Sequence, residues 1–334
     1  MRAQGERVLV TGATGFVGSA VRPALRAAGW KIRCLTRKPP PAGSPEGPDE
    51  EWVQGDVGDA RAIRAALDGC QTALFLVHGM GDGTDFHPRE VAAARTFATA
   101  AAAAGLRRVV YLGGMYPGTD AASDHLQSRR EVGEALRAGA VPTVELCASM
   151  ILGHGSLSWL IVRDLAARLP VMVLPAWLRS RTQPVAIDDV VVALVAALDV
   201  DVAGSARFDL PGPDILSGAQ ILDETARAMG FAPAWKVNVR WLTPRLSSLW
   251  VRFVTRARWS VARQVVVGLT HDLLAKDEGF WSVIGHHRRL TFGEAALRAL
   301  AAERDDGAIA GPWGAIERVR QRAWPQRPDR AHDQ

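Results

Sequence analysis

The 334-residue chain carries 40 Lys and Arg against 35 Asp and Glu, a formal charge of +5, and is 48% hydrophobic with a mean hydropathy near zero. This balance excludes wholesale disorder, collagen-like repeats and a disulfide-stapled mini-protein, and leaves room for one large α/β domain or two modest ones. No run approaches the ~18 unbroken apolar residues of a membrane span and no leader-like succession opens the chain, so a cytoplasmic protein is expected. Cys34, Cys70 and Cys147 are three widely spaced cysteines and read as reduced core residues rather than a disulfide framework or a metal knuckle. Lysine is confined to Lys31, Lys38, Lys236 and Lys276, so the charge is almost wholly arginine. With no zinc-finger, helix-turn-helix or RNA-recognition pattern beside it, that charge does not argue for a nucleic-acid partner.

Strand and helix patterns alternate through the first 150 residues. Short apolar runs at Arg7–Thr11, Lys31–Thr36, Glu51–Gln54, Thr72–Val77, Arg108–Gly113 and Thr143–Cys147 suit strands buried in a parallel sheet. Helical patterns fill the intervals at Phe16–Ala28, Ala60–Leu67, Arg89–Ala104 and Leu126–Ala138, with Gly29, Gly69, Gly105 and Gly139 just beyond their ends. Strand–helix–strand repetition predicts a Rossmann-like, doubly wound parallel sheet with a smaller, mostly helical C-terminal substrate region. The proline cluster between Lys38 and Glu50 predicts a surface loop.

Beyond residue 150 helices are expected at Ser156–Leu169, Asp188–Leu198, Ser217–Met229 and Thr243–Leu269, with a strand at Arg207–Leu210. The division that follows is a dinucleotide-binding domain over 1–150, joined by 184–210. A cap over 151–183 and 211–305 shapes the substrate region, and 306–334 forms a flexible tail. Nine of the eleven tryptophans lie beyond residue 150, as suits a ligand-shaping region.

The most informative run is Val8 to Gly18. A buried strand ends at Thr11, glycines follow at 12, 15 and 18, and a helix begins at once. Gly12 permits the tight turn, Gly15 lets backbone approach a pyrophosphate, and Gly18 allows close helix packing. The helix start, with Thr14, Phe16 and Val17, offers N–H groups to the anion. An NAD site usually places an acid at the end of the second strand, yet no Asp or Glu occurs from Arg7 through Pro45. The strand ends in Thr36-Arg37-Lys38, and a cation there suits the 2′-phosphate of NADP(H), which is therefore expected over NAD(H).

With these residues in place, the chain resembles the atypical, NmrA-like branch of the short-chain dehydrogenase/reductases over roughly residues 7 to 275. The resemblance rests on Thr11–Gly18, Gly55-Asp56-Val57, Leu76-Val77-His78, Tyr111–Gly114, Ser128–Val132, Pro184–Val190 and Leu210–Asp214. It implies that Asp56 and Val57 border the adenine and that Val77, His78 and Gly79 line the ribose and pyrophosphate groove. It also implies that Asp188-Asp189 caps a structural helix.

The same resemblance exposes a gap. Most such enzymes carry Tyr-x-x-x-Lys on one helix, whereas here the only tyrosines are Tyr111 and Tyr116 and neither begins that motif. By motif alignment the tyrosine position falls on His125, the lysine position on Arg129, and the usual serine on Gly113 or Gly114. His125 is then either a general acid or a helix-start histidine without chemistry; Arg129 can hold ribose or phosphate but is a poor proton donor. His78, His87, Asp82 and Asp85 flank a glycine-rich loop at spacings that match no zinc pattern, so no metal is expected. His286-His287 reads as solvated surface, and Ser156 and Ser158 lack the partners of a serine hydrolase.

Residues 241–263 interleave aromatics with arginine, and from Thr225 to His271 there is no acid. Peripheral contact with an anionic membrane and an ordinary helix over the pocket both fit that pattern. The functional expectation is an NADPH-dependent reductase of a small or lipophilic quinone or carbonyl, acting as monomer or dimer. The alternative is a non-catalytic NADP(H)-binding sensor or assembly factor; an epimerase role is weakened by the missing tyrosine.

Overall fold

The computed structural model describes residues 5–40, 43, 47, 49–77, 86–116, 124–169, 171–239 and 271–306. In chain order these form β1 (Arg7–Thr11), α1 (Phe16–Ala27), β2 (Lys31–Thr36), β3 (Glu50–Gln54), α2 (Ala60–Leu67), β4 (Thr72–Phe75), α3 (Phe86–Ala103), β5 (Arg108–Gly114), α4 (Asp124–Arg137) and β6 (Thr143–Ala148). Then come β7 (Ile151–Leu152), α5 (Leu157–Arg168), β8 (Val171–Pro175), a 3₁₀ turn (Ala176–Arg179), β9 (Arg181–Thr182), β10 (Val185–Ala186) and α6 (Ile187–Ala197). The remainder is β11 (Ala206–Asp209), β12 (Leu216–Ser217), α7 (Gly218–Ala228), β13 (Trp235–Val239), α8 (Gly279–Val283) and α9 (Phe292–Asp305).

Seven strands form one sheet in the order β11-β6-β5-β4-β1-β2-β3, every neighbouring pair parallel. The chain winds outward from β1 to β3 and then, beginning with β4, outward on the other side. The β1/β4 boundary is therefore the switch point beyond whose carboxyl ends ligands bind. One face is sealed by α2, α3 and α4 over a core that includes Leu9, Ile63, Leu67, Phe75, Phe97, Tyr111 and Leu136. Phe75 is central there, edge-on to Phe97 at 4.9 Å and to Tyr111 at 6.0 Å. On α1, Val17, Val21 and Leu25 recur at four-residue spacing and are buried, and this helix packs beside α6.

Local chemistry sets the element ends. Asp59 caps α2 by accepting from the Arg61 and Ala62 amides. Gly29, Gly69 and Gly105 close α1, α2 and α3 with positive φ, whereas Gly139, also placed after a helix, does not. The strand expected to reach Val77 stops at Phe75 because the Leu76 amide leaves the ladder and donates to the Thr11 hydroxyl at 3.1 Å. The predicted helix over 243–269 and the tail from 307 lie outside the described residues.

Two compact units divide the chain. The first holds Met1–Ser149, Ile187–Pro211 and Ala275–Arg289, and thus the whole seven-stranded sheet. Within it, Trp281 Nε1 and Arg289 Nη1 both donate to the Pro211 carbonyl, and the Lys276 amide donates to Asp209. His286, expected on a solvated surface, instead pairs with the buried Asp189 at 2.7 Å and lies against Trp281. Its imidazole thus meets a buried carboxylate in the first turn of α6.

The second unit gathers α5, α7 and α9 around Trp159, Ile221, Leu222, Phe292 and Leu300, with the pairs β7–β10, β9–β12 and β8–β13. Inside it Glu303 accepts from Trp159 Nε1 at 2.8 Å and from Arg163 Nε at 3.0 Å, and Arg163 also meets Asp164. All four side chains are buried, so α9 is tied to α5 by a satisfied ionic network. Ser156 is part of this scaffold: it caps α5 through the Trp159 amide.

Candidate active site

The loop after β1 is shaped by what its glycines lack. Gly12 has φ +70° and its α-carbon faces the Leu76 carbonyl, 3.0 Å from where a β-carbon would sit; only glycine meets both demands. Thr11 completes the join at the switch point, donating its hydroxyl to the Leu74 carbonyl at 3.3 Å while accepting from Leu76. A β-carbon on Gly18 would drive into the Gly12 carbonyl and lie 2.8 Å from Ala13 Cα, so Gly18 serves the loop's own turn rather than packing on the sheet. Gly15 differs. It is exposed, N-caps α1 without any side-chain cap, and a β-carbon there would meet only the Gly12 oxygen at 3.2 Å. The Gly15 amide closes the turn by donating to the Gly12 carbonyl at 2.9 Å, and the free space beside the first helical amides, at Phe16 and Val17, suits a pyrophosphate, with Thr14 exposed beside them.

The next strands bring their ends to the same edge. Arg37 and Lys38 leave β2 exposed, and Arg37 forms no ion pair among the described residues, while the Thr36 hydroxyl is absorbed by the Lys38 backbone. After β3, Asp56 accepts the Gly58 amide at 2.8 Å in a turn that leads into the Asp59 cap, and Val57 packs against the core. Val77 also packs there, next to Gly12. His78 lies outside the described residues, as does the loop over 79–84. His87 is engaged by Glu131 at 3.0 Å, and no metal-binding group of three His, Cys, Asp or Glu occurs among the described residues.

The carboxyl end of β5 carries the other half of the site. Gly113 and Gly114 face different neighbours. A β-carbon on Gly113 would meet Glu145 Oε1 at 3.0 Å, whereas one on Gly114 would lie 3.0 Å from Arg129 Cδ. Gly114 is therefore the residue over which Arg129 extends. Arg129 is anchored through its backbone, whose carbonyl accepts the Tyr111 hydroxyl at 3.1 Å. Its buried Nε has no hydrogen-bond partner among the described residues, and the same holds for buried Nδ1 of His125 one turn earlier. Burial, with Arg129 adding to it, pushes the His125 pKa from 6.5 down to about 3. The ring is thus neutral at physiological pH and cannot act there as an imidazolium acid.

Sequence reasoning missed Glu145. This carboxylate sits fully buried on β6, in room left by Gly113 and Gly133, and takes Arg137 Nε at 2.8 Å and the Tyr116 hydroxyl at 2.6 Å. Arg207 lies 4.6 Å over the Tyr116 ring and pairs with Asp209. Burial, with the nearby Cys147 and Glu145, raises the Tyr116 pKa, so this phenol is held as a structural donor. The visible signal was an acid in the middle of an apolar strand.

Comparison with known proteins completes the description. A family model described as NAD(P)H-binding matches residues 12–167. A Streptomyces griseus (4-alkanoyl-5-oxo-2,5-dihydrofuran-3-yl)methyl phosphate reductase is 33% identical over 231 residues, covering 67% of this chain and 74% of that protein. The chain belongs to the atypical, NmrA-like NAD(P)H-binding branch of the short-chain dehydrogenase/reductases. A second member, ceramide reductase of Caulobacter vibrioides, is 28% identical over 228 residues, 68% of this chain and 71% of that one. Among solved structures, gox2253 superposes with a TM-score of 0.70 at 21% identity, covering 91% of this chain and 99% of its own, a likeness of fold. The matched stretch begins at Gly12 and so takes in the glycine loop, β5 and α4.

Proposed function

We propose that this chain is an NADPH-dependent reductase of a small or lipophilic carbonyl or quinone substrate. The observation that carries the reading is the end of β2, where Arg37 stands exposed and free of ion pairs among the described residues on a strand without any acid. A guanidinium there matches a 2′-phosphate, whereas an NAD site would need a carboxylate for the 2′-hydroxyl. The amides of Phe16 and Val17 would hold the pyrophosphate in the room that Gly15 leaves, Asp56 and Val57 would border the adenine, and Val77 with His78 would flank the ribose. When bound, the reduced nicotinamide supplies a hydride. The two relatives named as reductases support the direction of the chemistry.

The missing Tyr-x-x-x-Lys favours a second reading, a non-catalytic NADP(H)-binding sensor. One experiment separates the two readings. Energy transfer from the tryptophans is titrated with NADPH and NADH, for the wild type and for Arg37→Glu, and NADPH oxidation is then followed with quinones and carbonyls. The proposal expects at least about tenfold tighter NADPH, ~1.4 kcal/mol, abolished by Arg37→Glu while NADH binding is little changed. Equal loss for both dinucleotides would remove the 2′-phosphate assignment. Tight binding without turnover on any acceptor would leave the sensor.

A further inference from the structure

Two buried nitrogens without a hydrogen-bond partner among the described residues lie one helical turn apart on α4, at the carboxyl end of β5: His125 Nδ1 and Arg129 Nε. Buried polar nitrogens are usually hydrogen-bonded, and two of them one turn apart at the end of β5 leave room for an acceptor that arrives from outside. Among the described residues the neighbourhood supplies none. Gly114, beneath Arg129, brings no side chain, and Glu145 is turned away into Arg137 and Tyr116. Tyr111 spends its hydroxyl on the Arg129 carbonyl. Among the described side chains of the helix, Glu131 is occupied by Gln127 and His87 and Glu134 by Arg130.

What the pair can do is bounded by proton chemistry. An arginine does not release its proton at any physiological pH, and a histidine whose pKa has fallen to about 3 is already deprotonated. Neither group can hand a proton to a strongly basic alkoxide as it forms. Both can hold an oxygen that carries negative charge, the task of an oxyanion hole, where one donor contributes a factor of about 10²–10³.

We propose that His125 and Arg129 form an oxyanion site that selects conjugated carbonyl acceptors, enones and quinones, over isolated ketones. The inference rests on the reductase reading and deepens it by naming the substrate class. In the enone case the β-carbon gains a hydride, two electrons and one proton, from a reduced nicotinamide dinucleotide, which leaves oxidised. The carbon–carbon π pair moves to become the α-carbon–carbonyl-carbon bond of an enolate, and the carbonyl π pair becomes the charge on oxygen between His125 and Arg129. Water then protonates the α-carbon, and the carbonyl re-forms. A quinone ends likewise as a stabilised phenolate. An isolated ketone would end as an alkoxide, which this pair cannot protonate.

The test uses p-nitrophenol as a chromophoric oxyanion, bound to the full chain with and without NADPH. Wild type should favour the phenolate by at least about one pKa unit, a tenfold preference. Arg129→Met should abolish that preference while melting at the same temperature and binding NADPH as before. Gly114→Ala, whose methyl would press on Arg129 Cδ, should reduce it without removing a charge, which keeps the test open if the arginine variant does not fold. Turnover should follow with 2-cyclohexenone or a naphthoquinone and be at least about a hundredfold slower with cyclohexanone. An unshifted probe, or equal rates on the saturated ketone, would overturn the assignment. So would an Arg129→Met chain that keeps the phenolate preference and loses NADPH, since Arg129 would then serve the dinucleotide. A shifted probe with no NADPH binding in the wild type would sink the reductase reading and keep the oxyanion site.

Discussion

The two ends of the candidate site are built from opposite materials. Around Gly12–Gly18 the site is backbone, and its chemistry depends on side chains that are not there: one glycine admits the turn, one admits the helix, one leaves room above the amides. At β5 and α4 the site is made of particular side chains, a neutral imidazole and a guanidinium held over Gly114. The first end can bind an anion with almost any sequence that keeps the glycines. On the proposed reading the second end sets what reaction follows, through His125 and Arg129. Binding and chemistry are therefore separable in this chain, and substitutions should separate them.

The largest separation should come from two glycines three residues apart. Gly18→Val places a β-carbon against the Gly12 carbonyl and Ala13, both backbone, so relief requires the loop or the helix to move. We expect a loss of more than about 3 kcal/mol in urea denaturation, and no cofactor binding in whatever folds. Gly15→Val meets a single oxygen at 3.2 Å and should cost less than about 1 kcal/mol in stability. The same valine fills the room above the helix amides, so NADPH affinity should fall by about a hundredfold, ~2.7 kcal/mol. If Gly15→Val binds NADPH normally, the loop is a turn and not a cradle.

A smaller effect should appear beneath the other end. Glu145→Gln removes the charge facing Arg137 from a fully buried position. Breaking a buried pair costs about 3–5 kcal/mol, but Arg137 keeps 30% of its side chain in solvent and can rehydrate, so about 2 kcal/mol is expected. Because Glu145 holds Tyr116 and not Arg129, this variant should lose stability while its NADPH affinity stays within twofold. A large change in affinity would mean that the two ends are coupled through β5 and α4, against the separation argued above.

The same contrast explains what was readable beforehand. Strands β1 and β2 and helix α2 begin and end where apolar runs and capping residues say they should, because burial in a parallel sheet leaves few alternatives. The glycine loop was legible for the same reason: its pattern is steric. The missing Tyr-x-x-x-Lys was legible only as an absence; that His125 is neutral, and that Gly114 rather than Gly113 faces Arg129, depends on burial that no linear motif records. Glu145 escaped because its partners, Arg137 on a helix and Tyr116 after a strand, meet only in the fold. In the second unit the pairs β7–β10 and β9–β12 are two residues per strand, too short to show alternation. Helix α9 did carry a signal, the Thr291 and Glu294 capping box, at a place where helical periodicity alone was weak.

The smallest predicted effect tests whether the α4 end is closed to water at all. His125 in the folded chain resists protonation until about pH 3, whereas the unfolded chain takes up that proton near 6.5. Between those values the unfolded state binds more protons, so the stability this ring contributes is complete above about pH 6.5 and is lost progressively as pH falls toward 3. Lowering the pH from 7 to 5 should therefore cost the wild type about 1 kcal/mol more than it costs His125→Leu, a figure set below the full linkage value because the ring is only half-buried. Urea titrations at the two pH values measure the difference directly. Arg129→Met should shrink it, since removing the neighbouring charge lets the histidine protonate more readily. If His125→Leu loses as much stability on acidification as the wild type, the imidazole titrates as it would in water. An open, solvated pair would then stabilise an oxyanion no better than bulk water does, and the selectivity for conjugated acceptors would go with it.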